Sequence, residues 1–141
     1  MNVLFDTNVV LDVLLDRAPH ADTAAKLFAL VDNGRLDGSI CSTTVTTIYY
    51  IAARSFGRQG AREQVRRLLG LFRVAHVDRA ALDGALYLDL PDYEDAVVHE
   101  AARGTGAEAI VTRDRAGFAH AEIPAIDPEE LLTVIAVQGR D

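Results

Sequence analysis

Asn2-Val3-Leu4-Phe5-Asp6-Thr7-Asn8-Val9-Val10-Leu11-Asp12 is the stretch whose reading decides the fold. Residues 2–6 form a short apolar run that ends abruptly in polar side chains, the pattern of a buried strand. Thr7-Asn8 then turns the chain into a mostly apolar helical stretch, Val9 to Asp16, which stops near Ala18-Pro19. The same alternation continues downstream. Apolar residues at helical spacing run from Ala21 to Asp32 and end at Asn33-Gly34, a C-cap signal. Ser39 to Ser42 reads as a second strand and Val45 to Arg54 as a helix, despite its β-branched content. Gly57 and Gly60 separate it from another helix, Ala61 to Leu69.

Residues 73–77 supply a third strand, with Asp78 as N-cap of a helix over 79–88. Pro91-Asp92 opens a helix that runs to about Arg103 and terminates at Gly104-Thr105-Gly106. A fourth strand follows over 108–112 and a short fifth over 124–126. Asp127-Pro128-Glu129-Glu130 starts the last helix with Asp at N-cap, Pro at N1 and Glu at N3. Strands alternating with helices argue for a parallel sheet covered on both faces. The expectation is one α/β domain over residues 1–141, with no repeat and no interdomain linker.

Half of the 141 residues are hydrophobic, which excludes a disordered chain and leaves ample core material. A single cysteine, Cys41, excludes an intramolecular disulfide framework, and four scattered histidines with one cysteine make no zinc motif. No apolar run approaches the roughly 20 residues of a membrane span, and no basic-then-apolar leader is read at the N-terminus. The expected setting is the cytoplasm, without membrane contact. The net charge of −7 conceals an asymmetry: residues 54–73 carry six arginines against one acid, Glu63, for +5, leaving −12 elsewhere. A basic face on an acidic body suits phosphate or an acidic partner, or is simply a solvated helix surface.

Three aspartates stand where apolar sequence gives way to polar. Asp6 ends the first strand, Asp95 lies in Asp92-Tyr93-Glu94-Asp95-Ala96, and Asp114 follows Ala109-Ile110-Val111-Thr112. Parallel strands bring their carboxyl ends to one edge, where ligands bind. Acids gathered there repel one another unless a cation lies between them, so the trio points to Mg²⁺ or Mn²⁺. Each aspartate also has a structural reading: Asp6 as an N-cap, Asp95 as N3 behind an Asp92 cap, and Asp114 as a turn residue between Arg113 and Arg115. Thr7 and Asn8 are placed to orient Asp6 by hydrogen bonds. His99 lies one helical turn past Asp95 on the same face, and Arg113 and Arg115 carry guanidinium groups able to clamp a phosphate. An aspartyl-nucleophile phosphohydrolase is disfavoured, because it wants a second Asp where this chain has Asn8.

The opening Val3 to Asp12, the motif Asp92 to Ala96, and Ile110-Val111-Thr112-Arg113-Asp114 with Phe118 together resemble the PIN-domain nucleases, including VapC toxins of bacterial toxin–antitoxin pairs. Residues 126–132 resemble the usual ending. The resemblance covers nearly the whole chain. It implies a PIN-like three-layer α/β/α sandwich with a central, mainly parallel five-stranded sheet. It implies an endoribonuclease in which Asp6, Asp95 and Asp114 hold Mg²⁺ or Mn²⁺, and in which hydrolysis leaves a 5′-phosphate and a 3′-hydroxyl. It further implies an RNA substrate, a cognate antitoxin over the basic helical region, and a homodimer.

One position departs from the pattern. Where the family commonly places a second acid, early in the helix after the second strand, this chain has Thr47. A hydroxyl is a weaker ligand than a carboxylate, so the site loses a charge. Asp12 is then either a compensating ligand or a helix-surface acid. The alternative function is a catalytically weak PIN-fold module that binds RNA or protein.

Overall fold

Five short strands, each carrying apolar side chains to both faces, form the centre of the protein. The computed structural model describes residues 1–139. The strands are β1 (Asn2–Phe5), β2 (Asp37–Cys41), β3 (Arg73–Ala75), β4 (Ala109–Val111) and β5 (Ala125–Ile126). Every pairing is parallel and the order is β3-β2-β1-β4-β5, so the first strand of the chain is the middle strand of the sheet. The sheet expected to be mainly parallel is wholly so.

Strand period two sorts the core into layers. Val3 and Phe5 of β1, with Ala109 and Val111 of β4, face α1 (Thr7–Leu14), α2 (Ala21–Asp32), α3 (Ser42–Leu71) and α6 (Pro128–Gln138). Leu4 and Ile110 face the other way, onto Val98, Ala101 and Ala102 of α5 (Tyr93–Thr105). The short α4 (Arg79–Ala85) packs on α5. Helices therefore cover both faces, as strands buried on both sides require. On the first face Phe5, Phe28 and Phe72 form a ring cluster with centroids 5.0–5.9 Å apart.

The helix boundaries follow their caps. Asp6, Asp78, Asp92 and Asp127 each accept a backbone N–H from the first turn they precede. Gly106, left-handed at φ 72°, ends α5 as read from the sequence. Two expectations shift. The helix expected over 79–88 stops at Ala85. The two helices expected either side of Gly57 and Gly60 are present within α3, but they meet at a kink at Gly57 alone, at φ 73° and ψ 174°. Gly60 continues the helix; Gly57 alone supplies the conformation an L side chain resists.

The ring cluster ties β1 to α2 and to the entry of β3, so removing its centre should be felt globally. Phe5→Ala is expected to cost about 3–5 kcal/mol, read as a lowered urea midpoint with an unchanged slope.

Candidate functional site

The two central strands position the site. Phe5 lies opposite Val111 in the parallel β1–β4 pair. From that pair the sheet continues to β2 on one side and to β5 on the other, which makes the seam the topological switch point where a crevice opens at the strands' carboxyl ends. Asp6 and Thr112 are the next residues of the two strands. Thr112 Oγ1 donates to Asp6 Oδ2 at 2.8 Å. The same hydroxyl accepts from Asn8 Nδ2 at 3.1 Å and from the Asp114 N–H at 3.0 Å, which uses its one donor and both lone pairs.

Asp6 is 7% exposed and serves two roles with two oxygens. Oδ1 accepts the Thr7 N–H at 2.9 Å and caps α1, while Oδ2 belongs to the network with Thr112 and Asn8. Capping and crevice readings are thus not rivals at this residue. Asn8 Oδ1 accepts the Arg113 N–H at 3.2 Å, fixing the loop after β4 to the start of α1. Thr7 Oγ1 meets Thr44 Oγ1 at 2.9 Å and ties α1 to α3.

The remaining acids arrive from α5 and the loop after β4. Asp92 Oδ1 accepts the Glu94 and Asp95 N–H groups at 2.7 and 3.3 Å, so Asp92 is the cap and Asp95 the residue turned inward. Asp6, Asp92, Glu94, Asp95 and Asp114 line one cleft of about 300 Å³, together with Arg17. Asp114 Oδ1 accepts the Gly117 N–H at 3.2 Å. A Cβ at position 117 would stand 2.8 Å from Asp114 Oδ2 and 3.0 Å from Asp95 Oδ2, so the glycine leaves room where two carboxylate oxygens face the same point.

Burial, and after it the crowding of like charge, raises the pKa of two of these groups. Burial pushes the Asp95 carboxyl up to about 7, helped by the charges of Asp6, Asp92, Asp114 and Glu94. Burial also raises Asp6, with Asp114 and Glu94 adding to it, against the hydrogen bonds from Thr112 and Thr7 that favour the charged form. Among the described residues no three Asp, Glu, His or Cys side chains stand close enough together to form a metal-ligating group. The acids share a cleft rather than a closed coordination shell. The donor set nevertheless fits a hard divalent cation: it is all oxygen and open to solvent. Magnesium in particular keeps several waters and takes only one or two carboxylates.

Other residues singled out in the sequence are engaged differently. Asp12, read as a surface acid or a spare ligand, is 1% exposed. Arg113 grips it with two bonds, Nε to Oδ2 at 2.6 Å and Nη2 to Oδ1 at 3.1 Å. The guanidinium read as a phosphate clamp is therefore already held by a buried carboxylate. Arg115 is exposed and 3.8 Å from Glu130. His99 is fully buried; Nε2 accepts the Ile123 N–H at 3.0 Å and Nδ1 meets Glu100 Oε1 at 3.1 Å, so the ring braces α5 against the 123 segment and does not line the acid cleft. Thr47 donates to the Thr43 carbonyl one turn back and is also outside the cleft lining. Arg58, Arg62 and Arg66 line a shallow groove on the second half of α3. Sequence reading missed Arg17 and Gly117. Only a glycine three residues after Asp114 hinted at the latter.

The model of the PIN domain family matches residues 2–116, and the chain belongs to that family. Among solved structures, DNA-bound VapBC from Salmonella typhimurium is similar at 17% identity and a TM-score of 0.69, over 91% of this chain and 98% of that one. A toxin–antitoxin complex from Klebsiella pneumoniae matches at 20% identity and 0.67, over 90% and 98%. Mycobacterium tuberculosis VapC20, described as a sarcin–ricin loop cleaving toxin, matches at 16% and 0.62, over 77% and 87%. These likenesses establish a shared fold. No curated protein matches significantly.

Two outcomes test the electrostatics. Arg113→Ala leaves the buried Asp12 carboxylate only the longer 3.7 Å contact of Arg17 and should cost up to about 3–5 kcal/mol. Asp12→Ala frees a guanidinium that is 30% exposed and should cost clearly less, both measured by denaturant unfolding. Asp95 has the opposite signature to a salt-bridged acid. Its folded value near 7 lies above the ordinary 3.8, so its contribution to stability is full below about pH 4 and is lost as pH rises through 7. In metal-free buffer the melting temperature of the native chain, relative to Asp95→Asn, should fall between pH 4 and 8. Mg²⁺ should reverse that loss more at pH 8 than at pH 5, because cation and proton compete.

Proposed function

We propose that this chain is a Mg²⁺- or Mn²⁺-dependent endoribonuclease and the toxin of a type II toxin–antitoxin pair. The observation that carries the reading is the meeting of Asp6, Asp95 and Asp114 in one cleft at the β1–β4 seam of a PIN-family chain. In this reading the three aspartates hold the cation. Thr7, Asn8 and Thr112 orient Asp6, and Asp92 orients Asp95 through the helix cap. When bound, the cation supplies Lewis acidity toward water and phosphate. Hydrolysis forms a bond from the water oxygen to phosphorus and breaks the bond to the 3′-oxygen, leaving a 5′-phosphate and a 3′-hydroxyl. The Asp95 carboxyl, raised in the metal-free protein, must give up its proton before it can serve as a ligand, so cleavage is expected to rise with pH at a midpoint that falls as cation concentration rises.

The partner reading draws on the structural neighbours, which are toxin–antitoxin complexes, some bound to DNA. The exposed arginines of α3 offer an acidic antitoxin segment a complementary surface. A homodimer, a single functional unit and a cytoplasmic setting complete the proposal. Thr47 favours a second reading, a binding module of weak activity, because its hydroxyl serves the Thr43 carbonyl and adds no carboxylate to the cleft.

Cleavage of a panel of structured RNAs decides between them. The native chain should cut only with Mg²⁺ or Mn²⁺ and stop in EDTA, and Asp95→Asn should abolish cutting while remaining folded. RNA binding without metal-dependent cleavage supports the second reading; cleavage that persists in EDTA or in Asp95→Asn sinks the first.

A further inference from the structure

Among the described residues, Arg17 is the one basic residue lining the acid cleft. Its backbone is pinned on both sides: its N–H donates to the Asp12 carbonyl at 3.0 Å, and its carbonyl accepts from His20 and Ala21 at 2.9 and 2.8 Å. The turn that places it there runs through Asp16 at φ 49°, a left-handed conformation that non-glycine residues adopt at a cost. The backbone is thus fixed while the side chain is loosely engaged. Its nearest acid, Asp12, stands 3.7 Å away and is already saturated by the closer, two-bond grip of Arg113. One buried carboxylate faces two guanidiniums, which leaves a positive charge at the mouth of the cleft with 39% of the Arg17 side chain exposed.

We propose that Arg17 is the residue that binds the scissile phosphodiester of the substrate, a role that rests on the nuclease reading above. A phosphodiester entering a cleft lined by five carboxylates meets strong repulsion, and a cation held by the aspartates offsets only part of it. A planar guanidinium on an anchored backbone supplies charge and two directed donors to phosphate oxygens. Arg113 does not compete for this role, because leaving Asp12 would strand a buried charge.

The test compares Arg17→Ala, Arg17→Lys and Arg113→Ala in cleavage of a single-stranded RNA, alongside melting curves. Arg17→Ala is expected to lower kcat/KM about 10- to 100-fold with an unchanged melting temperature. Arg17→Lys should recover part of the loss, and millimolar guanidinium should restore Arg17→Ala but not Arg113→Ala. Native-like kinetics in Arg17→Ala would overturn the assignment. So would a loss that tracks a lowered melting temperature and that neither Lys nor guanidinium repairs. If the native chain cuts no RNA, the nuclease reading falls separately, and Mg²⁺-dependent binding of the same RNA judges Arg17. Weaker binding by Arg17→Ala keeps its phosphate role, and equal affinity ends it.

Discussion

The 2.8 Å hydrogen bond from Thr112 to Asp6 spans the seam between β1 and β4, and the other features of the cleft are arranged around it. Asp6 is nearly buried at a position where further acids crowd in, and without that donor its carboxylate would be both desolvated and repelled. The same threonine hydroxyl receives Asn8 and the backbone of Asp114, so one oxygen ties together two acids that follow different strands. The parallel pairing of Phe5 with Val111 brings the two residues side by side. Sheet register and site geometry are therefore a single constraint: a slip of one residue would turn Asp6 toward the opposite layer of the core.

Charge is distributed at two depths. The outer cleft concentrates carboxylates with one loosely held guanidinium, and raised protonation of Asp95 and Asp6 records the unfavourable energy stored there. Beneath the α1 face, Asp12 and Arg113 neutralise each other in a two-bond pair. The first arrangement is tense and open, the second settled and closed. Because Arg113 follows Thr112 directly in sequence, the inner pair also fixes the loop that carries Asp114, and so supports the outer cleft it does not join.

What was legible in the sequence followed local rules. Asp6 and Asp114 were found because a strand's apolar run ends where its crevice begins, and Asp92 was separated from Asp95 by cap spacing alone. Helix ends at Asp78, Gly106 and Asp127 were read from single residues whose preferences are strong. The Asp12–Arg113 pair was invisible because its members are 101 positions apart and neither carries a local mark of burial. Arg17 drew no notice, since it sits just past a helix end and the left-handed turn at Asp16 that precedes it leaves no mark in the sequence. His99 shared a helical face with Asp95, yet that face is wide enough to hold one residue in the cleft and another braced on Ile123. The β3 and β5 strands came out shorter than read, as edge strands with one neighbour have fewer partners to extend them.

The central place of β1 has a temporal side. The strand is made before its neighbours, and its second neighbour pairs through Val3 with Ala109, far along the chain. Closing so long a loop is slow and comes late in folding. Asp6 is made well before Thr112 and Asp114 can reach it. A nascent chain that has not reached residue 114 holds Asp6 without Asp114, and whatever the assembled cleft does is withheld until that loop has been made.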